Sequence, residues 1–290
     1  MDHGAGDPLT PLAATTPRWA VLVTSPLPGA SNMALDHALM HRAVRTGEAV
    51  LRIYTWAEPT LSFGRHEIAR GVYDRAAISA AGLAVVRRPT GGRAVLHDDE
   101  ITYSVTAPLP SDHRAALPSS ARRARARALY AAINHLLLQG LARLGVAAQL
   151  VSGKAAARPR SLGAGPCFDT ASDGELVVAG RKLVGSAQWR EEGAVLQHGS
   201  MLIADHRARL AALSPGSASA ARPPAAALRD LLHRVPAPGD VAAAFTGVLD
   251  DALAAAGAPA ARLMSSGPET AAMTEALRGR YEDEAWTWRR

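Results

Sequence analysis

The sequence predicts an α+β fold: a mixed, mainly antiparallel sheet flanked by helices. Three observations predict it. Short β-rich runs bounded by turn residues recur between residues 19 and 203, and residues 173–188 read as a hairpin. Two long segments carry apolar residues at helical spacing. Strands joined by hairpins and interrupted by helices argue for α+β rather than strict alternation around a parallel sheet.

The elements follow in order. Residues 1–17 are rich in Pro, Ala and Thr, lack periodicity and read as a flexible tail, which leaves 18–290 as a single domain. Trp19-Ala-Val-Leu-Val reads as a strand. The stripe Met33, Leu35, Leu39 and Met40 marks a helix, with Ser31 as its expected N-cap. Leu51–Trp56 and Leu83–Arg87 are β-rich, and Ile101-Thr-Tyr-Ser-Val-Thr alternates as a half-buried strand does. Leu129, Ile133, Leu136, Leu137, Leu141 and Leu144 define a helix from about Arg123, which Gly145 closes. In the hairpin, Glu175–Val178 and Lys182–Gln188 flank a turn at Ala179-Gly180, and Ala194–Ile203 continues the sheet. Residues 214–226 are a Pro/Ala/Ser-rich loop or mobile segment. Asp240 caps a helix through Ala255, and Glu269–Tyr281 forms a last one.

Composition narrows the class of function. Hydrophobic residues make up 48% and charged ones 20% of the 290, enough for a substantial core. No basic start precedes an apolar run, and no stretch approaches the ~18 unbroken apolar residues of a membrane span, so a cytoplasmic protein is expected. Cys167 is the only cysteine, which excludes an internal disulfide and a cysteine-rich zinc site. A net charge of +6 raises the question of nucleic acid, yet only 4% of residues are aromatic, too few for interleaved base stacking. The local cluster Arg122, Arg123, Arg125 and Arg127 reads either as a solvated helix start or as a patch for an acidic protein. Of the 32 Lys and Arg residues only Lys154 and Lys182 are lysine. Lysine, unlike arginine, offers a compact ammonium whose proton affinity can be tuned.

Three segments carry candidate chemistry. In Arg87-Arg88-Pro-Thr-Gly91-Gly92-Arg93-Ala-Val-Leu-His97-Asp98, paired glycines allow close backbone approach to a ligand, although an ordinary tight turn reads the same way. In the second, Gly165-Pro-Cys167-Phe-Asp169 precedes Lys182 of Gly180-Arg-Lys-Leu-Val-Gly185-Ser186-Ala187-Gln188 by fifteen residues. A cation beside a thiol favours the thiolate, a nucleophile at neutral pH. A packed, inert cysteine and a surface lysine are the plain alternative. The third is Leu196-Gln-His198-Gly199-Ser-Met-Leu-Ile, a strand whose histidine is read as pocket-lining.

Together these segments resemble the biotin/lipoate A/B protein ligase superfamily, and most closely its cysteine-dependent octanoyltransferase branch of the Gram-positive type. The similarity runs through Asn32-Met-Ala-Leu-Asp36, Trp56–Arg65, Arg87–Ser104, Cys167–Gln188 and His198–Ile203. The resemblance implies a catalytic-domain fold related to class II aminoacyl-tRNA synthetases, with a family core over about 45–250 and an acyl-chain tunnel. Lys182 matches the family's active-site lysine. Cys167-Phe168-Asp169 fits the octanoyltransferase branch, where the ATP-dependent ligases carry an Asn-Asp type sequence. Gly91-Gly92-Arg93 departs from the triple glycine common in the ligases.

The implied reaction moves an octanoyl group from octanoyl-acyl carrier protein to the lysine of a lipoyl-domain protein, such as glycine cleavage H protein or a 2-oxoacid dehydrogenase E2, through a Cys167 thioester. Arg88, Gly91, Gly92, Arg93, His97, His198 and Gly199 are then expected to bind substrate, and backbone N–H groups of Gly185, Ser186 and Ala187 to receive the oxyanion. Neither ATP nor metal is expected. Two alternatives stay open: an ATP- and Mg-dependent lipoate ligase of the same fold, and a non-catalytic acyl-binding protein. No nucleic-acid or membrane partner is expected.

Overall fold

A computed structural model describes residues 7–109, 119–151, 174–213 and 224–289. In chain order these form α1 (Thr10–Thr15), β1 (Trp19–Val23), α2 (Gly29–Thr46), β2 (Ala49–Tyr54), β3 (Thr60–Phe63), α3 (Arg75–Ala80), β4 (Ala84–Arg87), β5 (Val95–His97), β6 (Glu100–Pro108) and α4 (Ser119–Arg143). There follow β7 (Gln149–Leu150), β8 (Leu176–Val178), β9 (Arg181–Glu191), β10 (Ala194–Leu202), α5 (Arg207–Ala212), α6 (Leu228–Leu232), α7 (Pro238–Ala255), β11 (Arg262–Leu263), α8 (Pro268–Glu282) and α9 (Glu284–Thr287).

The main sheet has the order β11-β1-β2-β6-β10-β9-β8-β7, parallel at β11-β1-β2 and antiparallel from β2 onward. The mixed, mainly antiparallel sheet expected from the sequence is therefore present. Helices α1, α4 and α7 cover one face, where Leu12, Leu137 and Phe245 pack on Leu51, Tyr103 and Val195. Helix α2 covers the other through Leu35 and Leu39 against Ala20, Leu22 and Val50. Strands buried on both faces need apolar residues at successive positions, and the unbroken run of β1 meets that need. A second sheet, β4-β3-β5, has its own core of Leu61, Phe63, Ile78, Leu96, Leu210 and Trp288. Among the described residues no helix is long and apolar enough to cross a membrane.

Several boundaries differ from expectation. The loose tail ends early: Thr10–Thr15 is helical, and Leu9 and Leu12 sit in the main core. Ser31 does not cap α2, which begins at Gly29 after Pro28. Asn32 instead ties the helix start down, its amide donating to the carbonyls of Leu27 (3.0 Å) and Thr55 (3.2 Å). Asp240 lies in the first turn of α7, where its carboxylate accepts the Ala237 N–H at 3.3 Å. The β8-β9 hairpin turns where expected, at Ala179 and Gly180, with φ of 49° and 72°. Most of the Pro/Ala/Ser-rich segment, 214–223, lies outside the described residues.

Candidate active site

Strand β10 organises the site. Its register sets Ala187 beside His198, Ser186 beside Gly199 and Gly185 beside Ser200, so segments separated in sequence become neighbours. Gly199 is required by packing: a Cβ there would lie 2.2 Å from the Gly185 carbonyl oxygen and 2.8 Å from Tyr103 Cε1. On its other side β10 pairs with β6, which brings Ser104 opposite His198 and Glu100 opposite Leu202.

The Arg88–His97 segment folds against this strand. Arg88 is buried and clasps its own loop: Nη1 donates to the Ser62 carbonyl and hydroxyl, both at 3.0 Å. Its Nη2 donates to the carbonyls of Gly91 (2.9 Å) and Arg93 (2.7 Å). Gly92 has φ of 95°, and its carbonyl oxygen packs so close to Gly64 that a Cβ on Gly64 would lie 1.8 Å from it. Both glycines thus serve a close approach of backbone to backbone. No such demand falls on Gly91, around which a Cβ would meet nothing within 4 Å.

Two histidines are built into this arrangement. His97 contacts Ser62 Oγ through Nε2 (2.7 Å) and Glu100 Oε1 through Nδ1 (2.7 Å), and its ring stacks on Trp56 at 3.9 Å. His198 contacts Thr90 Oγ1 through Nε2 (2.7 Å) and Asp36 Oδ2 through Nδ1 (3.4 Å). Burial lowers the His198 pKa, only partly offset by Asp36, so the ring is neutral near pH 7. A neutral ring with Nδ1–H turned to the carboxylate leaves Nε2 to accept from the Thr90 hydroxyl. Burial alone would raise the Asp36 carboxyl, but Arg52 at 2.8 Å and the His198 hydrogen bond outweigh it and hold it below the ordinary carboxylate value. Ser104 and Tyr54 also donate to Asp36.

Lys182 is buried, with Nζ 2.8 Å from Glu175 Oε2. Glu175 Oε1 accepts the Ser186 N–H at 3.4 Å, so that N–H, expected as an oxyanion donor, already has an acceptor. The Ser186 hydroxyl contacts Tyr103 OH at 2.7 Å. Cys167 and its Gly165–Asp169 setting lie outside the described residues, as does Lys154. Arg123, Arg125 and Arg127 are exposed along the start of α4.

The structure thus brings Arg88, the Gly91–Arg93 loop, His97, Gly185–Ala187, His198 and Gly199 into one neighbourhood. Sequence reasoning gave no role to Ser62, Thr90, Glu100 or Glu175, which hold those residues in place. Each is an ordinary polar residue whose partner is distant in sequence.

Residues 28–249 match the lipoyl protein ligase A/B catalytic domain. The chain belongs to that family. Among relatives of the lipoyl protein ligase A/B catalytic domain, octanoyltransferase LipM of Kyrpidia tusciae is 43% identical over 189 residues, 64% of this chain and 66% of that protein. Over this relative the chain spans just under two thirds of the other's length. Octanoyltransferase LipM of an Exiguobacterium species is 36% identical over 287 residues, covering 94% of this chain and 98% of its own. Solved structures share the fold. Protein Ta0514 of T. acidophilum, with lipoic acid bound, superposes with a TM-score of 0.70 at 19% identity, covering 93% of this chain and 99% of the other. Lipoate-protein ligase A bound with ATP gives 0.70 at 18%, covering 93% and 98%.

Proposed function

We propose that the chain is an octanoyltransferase that moves an octanoyl group from octanoyl-acyl carrier protein to a lysine of a lipoyl-domain protein through a thioester on Cys167. One observation carries the reading: a relative named octanoyltransferase is 36% identical along 94% of the chain. The Cys167-Phe168-Asp169 sequence and the buried, carboxylate-anchored Lys182 support it.

In the first half-reaction the Cys167 thiolate attacks the carrier thioester. The carrier thiolate leaves and takes a proton, and the octanoyl group stays on sulfur. In the second, the acceptor amine attacks that thioester; an amide forms, the amine sheds its protons and the Cys167 thiolate is restored. Lys182, fixed by Glu175, supplies the cation that favours the thiolate and meets the developing oxyanion. The Arg88 loop, His97 and His198 line the acyl pocket. A thioester is already activated, so no ATP, Mg or other cofactor enters. The exposed arginines of α4 offer a cationic face to an acidic carrier protein, and both half-reactions belong to the cytoplasm. Glycine cleavage H protein and 2-oxoacid dehydrogenase E2 domains are the acceptors to try.

The test is incubation with octanoyl-carrier protein in the absence of nucleotide, followed by mass spectrometry. An octanoyl adduct on Cys167 is expected. Acyl transfer that occurs only with ATP, Mg and free acid would assign the chain to the ligase chemistry instead, and bound acyl chain without any transfer would make it a binding protein.

A further inference from the structure

A cavity of about 280 Å³ opens between residues 55–59 and 97–100, with Ile203 on its flank. It lies at the lower end of the ~300–1,000 Å³ of most ligand pockets. Glu100 lines it, and the side chain is almost wholly buried. Its two oxygens differ sharply. Oε1 takes donors from His97 Nδ1 (2.7 Å), Thr102 Oγ1 (2.6 Å), Ser200 Oγ (2.8 Å) and Trp56 Nε1 (3.2 Å). Oε2 is buried with no hydrogen-bond partner among the described residues. A buried carboxylate oxygen without a donor is costly, and the cost is removed if a ligand brings the donor.

The remaining lining decides what kind of ligand. Asp98 is paired with Arg209 at 2.7 Å and Asp99 with Arg229 at 3.4 Å, while Glu58 adds a further carboxylate to the exposed rim. Trp56, Ala57, Pro59 and Ile203 are apolar. Among the described residues no three His, Cys, Asp or Glu side chains are grouped to hold a metal ion. A buried carboxylate oxygen without a donor, in a cavity with an acidic rim and with Trp56, Pro59 and Ile203 on its walls, suits a primary ammonium on a hydrocarbon stem, which is the chemistry of a lysine side chain. Met201 pairs with both Ile101 and Val184, so Glu100, one residue before Ile101, and Lys182, two before Val184, belong to the same end of β6 and β9.

We propose that this cavity receives the acceptor lysine, its ammonium donating to Glu100 Oε2 while its methylene stem lies along Trp56 and Ile203. The proposal rests on the octanoyl-transfer reading and adds a positioning role for Glu100 in the second half-reaction alone.

The test separates the two half-reactions. Protein loaded from octanoyl-carrier protein is mixed either with a lipoyl domain or with hydroxylamine, a neutral nucleophile that needs no ammonium site. Two variants are compared with the parent: Glu100→Gln, which removes the charge, and Ala57→Trp, which fills the cavity without touching Glu100. In both, the ratio of lipoyl-domain transfer to hydroxylamine deacylation is expected to fall at least tenfold, and Ala57→Trp should load at the parental rate. An unchanged ratio in either variant, or a parallel loss of both deacylations, would overturn the proposal. A parent protein that never acquires the octanoyl adduct would overturn the octanoyl-transfer reading first, and this assignment with it.

Discussion

Lys182 shows how much of the site depends on single atoms. Its Nζ is anchored to Glu175 at 2.8 Å within a buried pair. Arginine would keep the charge but present a planar fork where a compact ammonium fits. Lys182→Arg is therefore expected to slow loading of Cys167 at least tenfold, measured as adduct formation by mass spectrometry; a fully active variant would remove Lys182 from the mechanism. Asp36 is the structural counterpart. It is fully buried with Arg52, and removing one partner of such a pair costs about 3–5 kcal/mol. Asp36→Ala should lose roughly that much in urea unfolding at neutral pH. Because the folded carboxyl is held below its ordinary value, the stabilisation is complete above about pH 4 and fades as pH falls through the folded pKa. The gap between parent and variant should accordingly narrow in acid. Cys167 and Lys182 draw attention in the sequence because sulfur and lysine are scarce here. Glu100, Glu175 and Thr90 do not, because only tertiary pairing gives them a task.

At the level of elements, legibility followed length and pattern. Helix α4 and strands β1, β6 and β10 stood out because each exposes a long periodic or continuous apolar run. Helix α1 did not, since six residues that include Pro11 show no full helical period, although Leu12 is buried. Nothing near Thr60–Phe63 signalled β3 as the centre of a second sheet, because its partners β4 and β5 follow later in the chain. The β9-β10 ladder sets a strict demand at Gly199, where any side chain meets the Gly185 backbone. Gly199→Ala should lower stability by about 1–3 kcal/mol in urea unfolding, since a rigid carbonyl cannot step aside. It should also slow loading, because His198 and Gly185 are the adjoining positions. A variant as stable and active as the parent would mean that the two strands have room to separate.

Across the whole molecule, the main sheet and the β4-β3-β5 sheet meet where Arg88, His97 and His198 converge, and no one segment of the sequence encodes that meeting. The order of the motifs pointed to the family, and the match over residues 28–249 established it. What the order of motifs leaves open is the route of the octanoyl group through the proposed reaction. Cys167 as a covalent way-station is the step on which the rest depends, and single-turnover transfer tests it most directly. Protein carrying one octanoyl group, freed of carrier protein and nucleotide, is mixed with a lipoyl domain, and both masses are followed in time. The octanoyl group should leave Cys167 at the rate at which it appears on the acceptor lysine. An acceptor that gains octanoyl from carrier protein while Cys167 is never acylated, or a loaded Cys167 that never passes its group on, would contradict it.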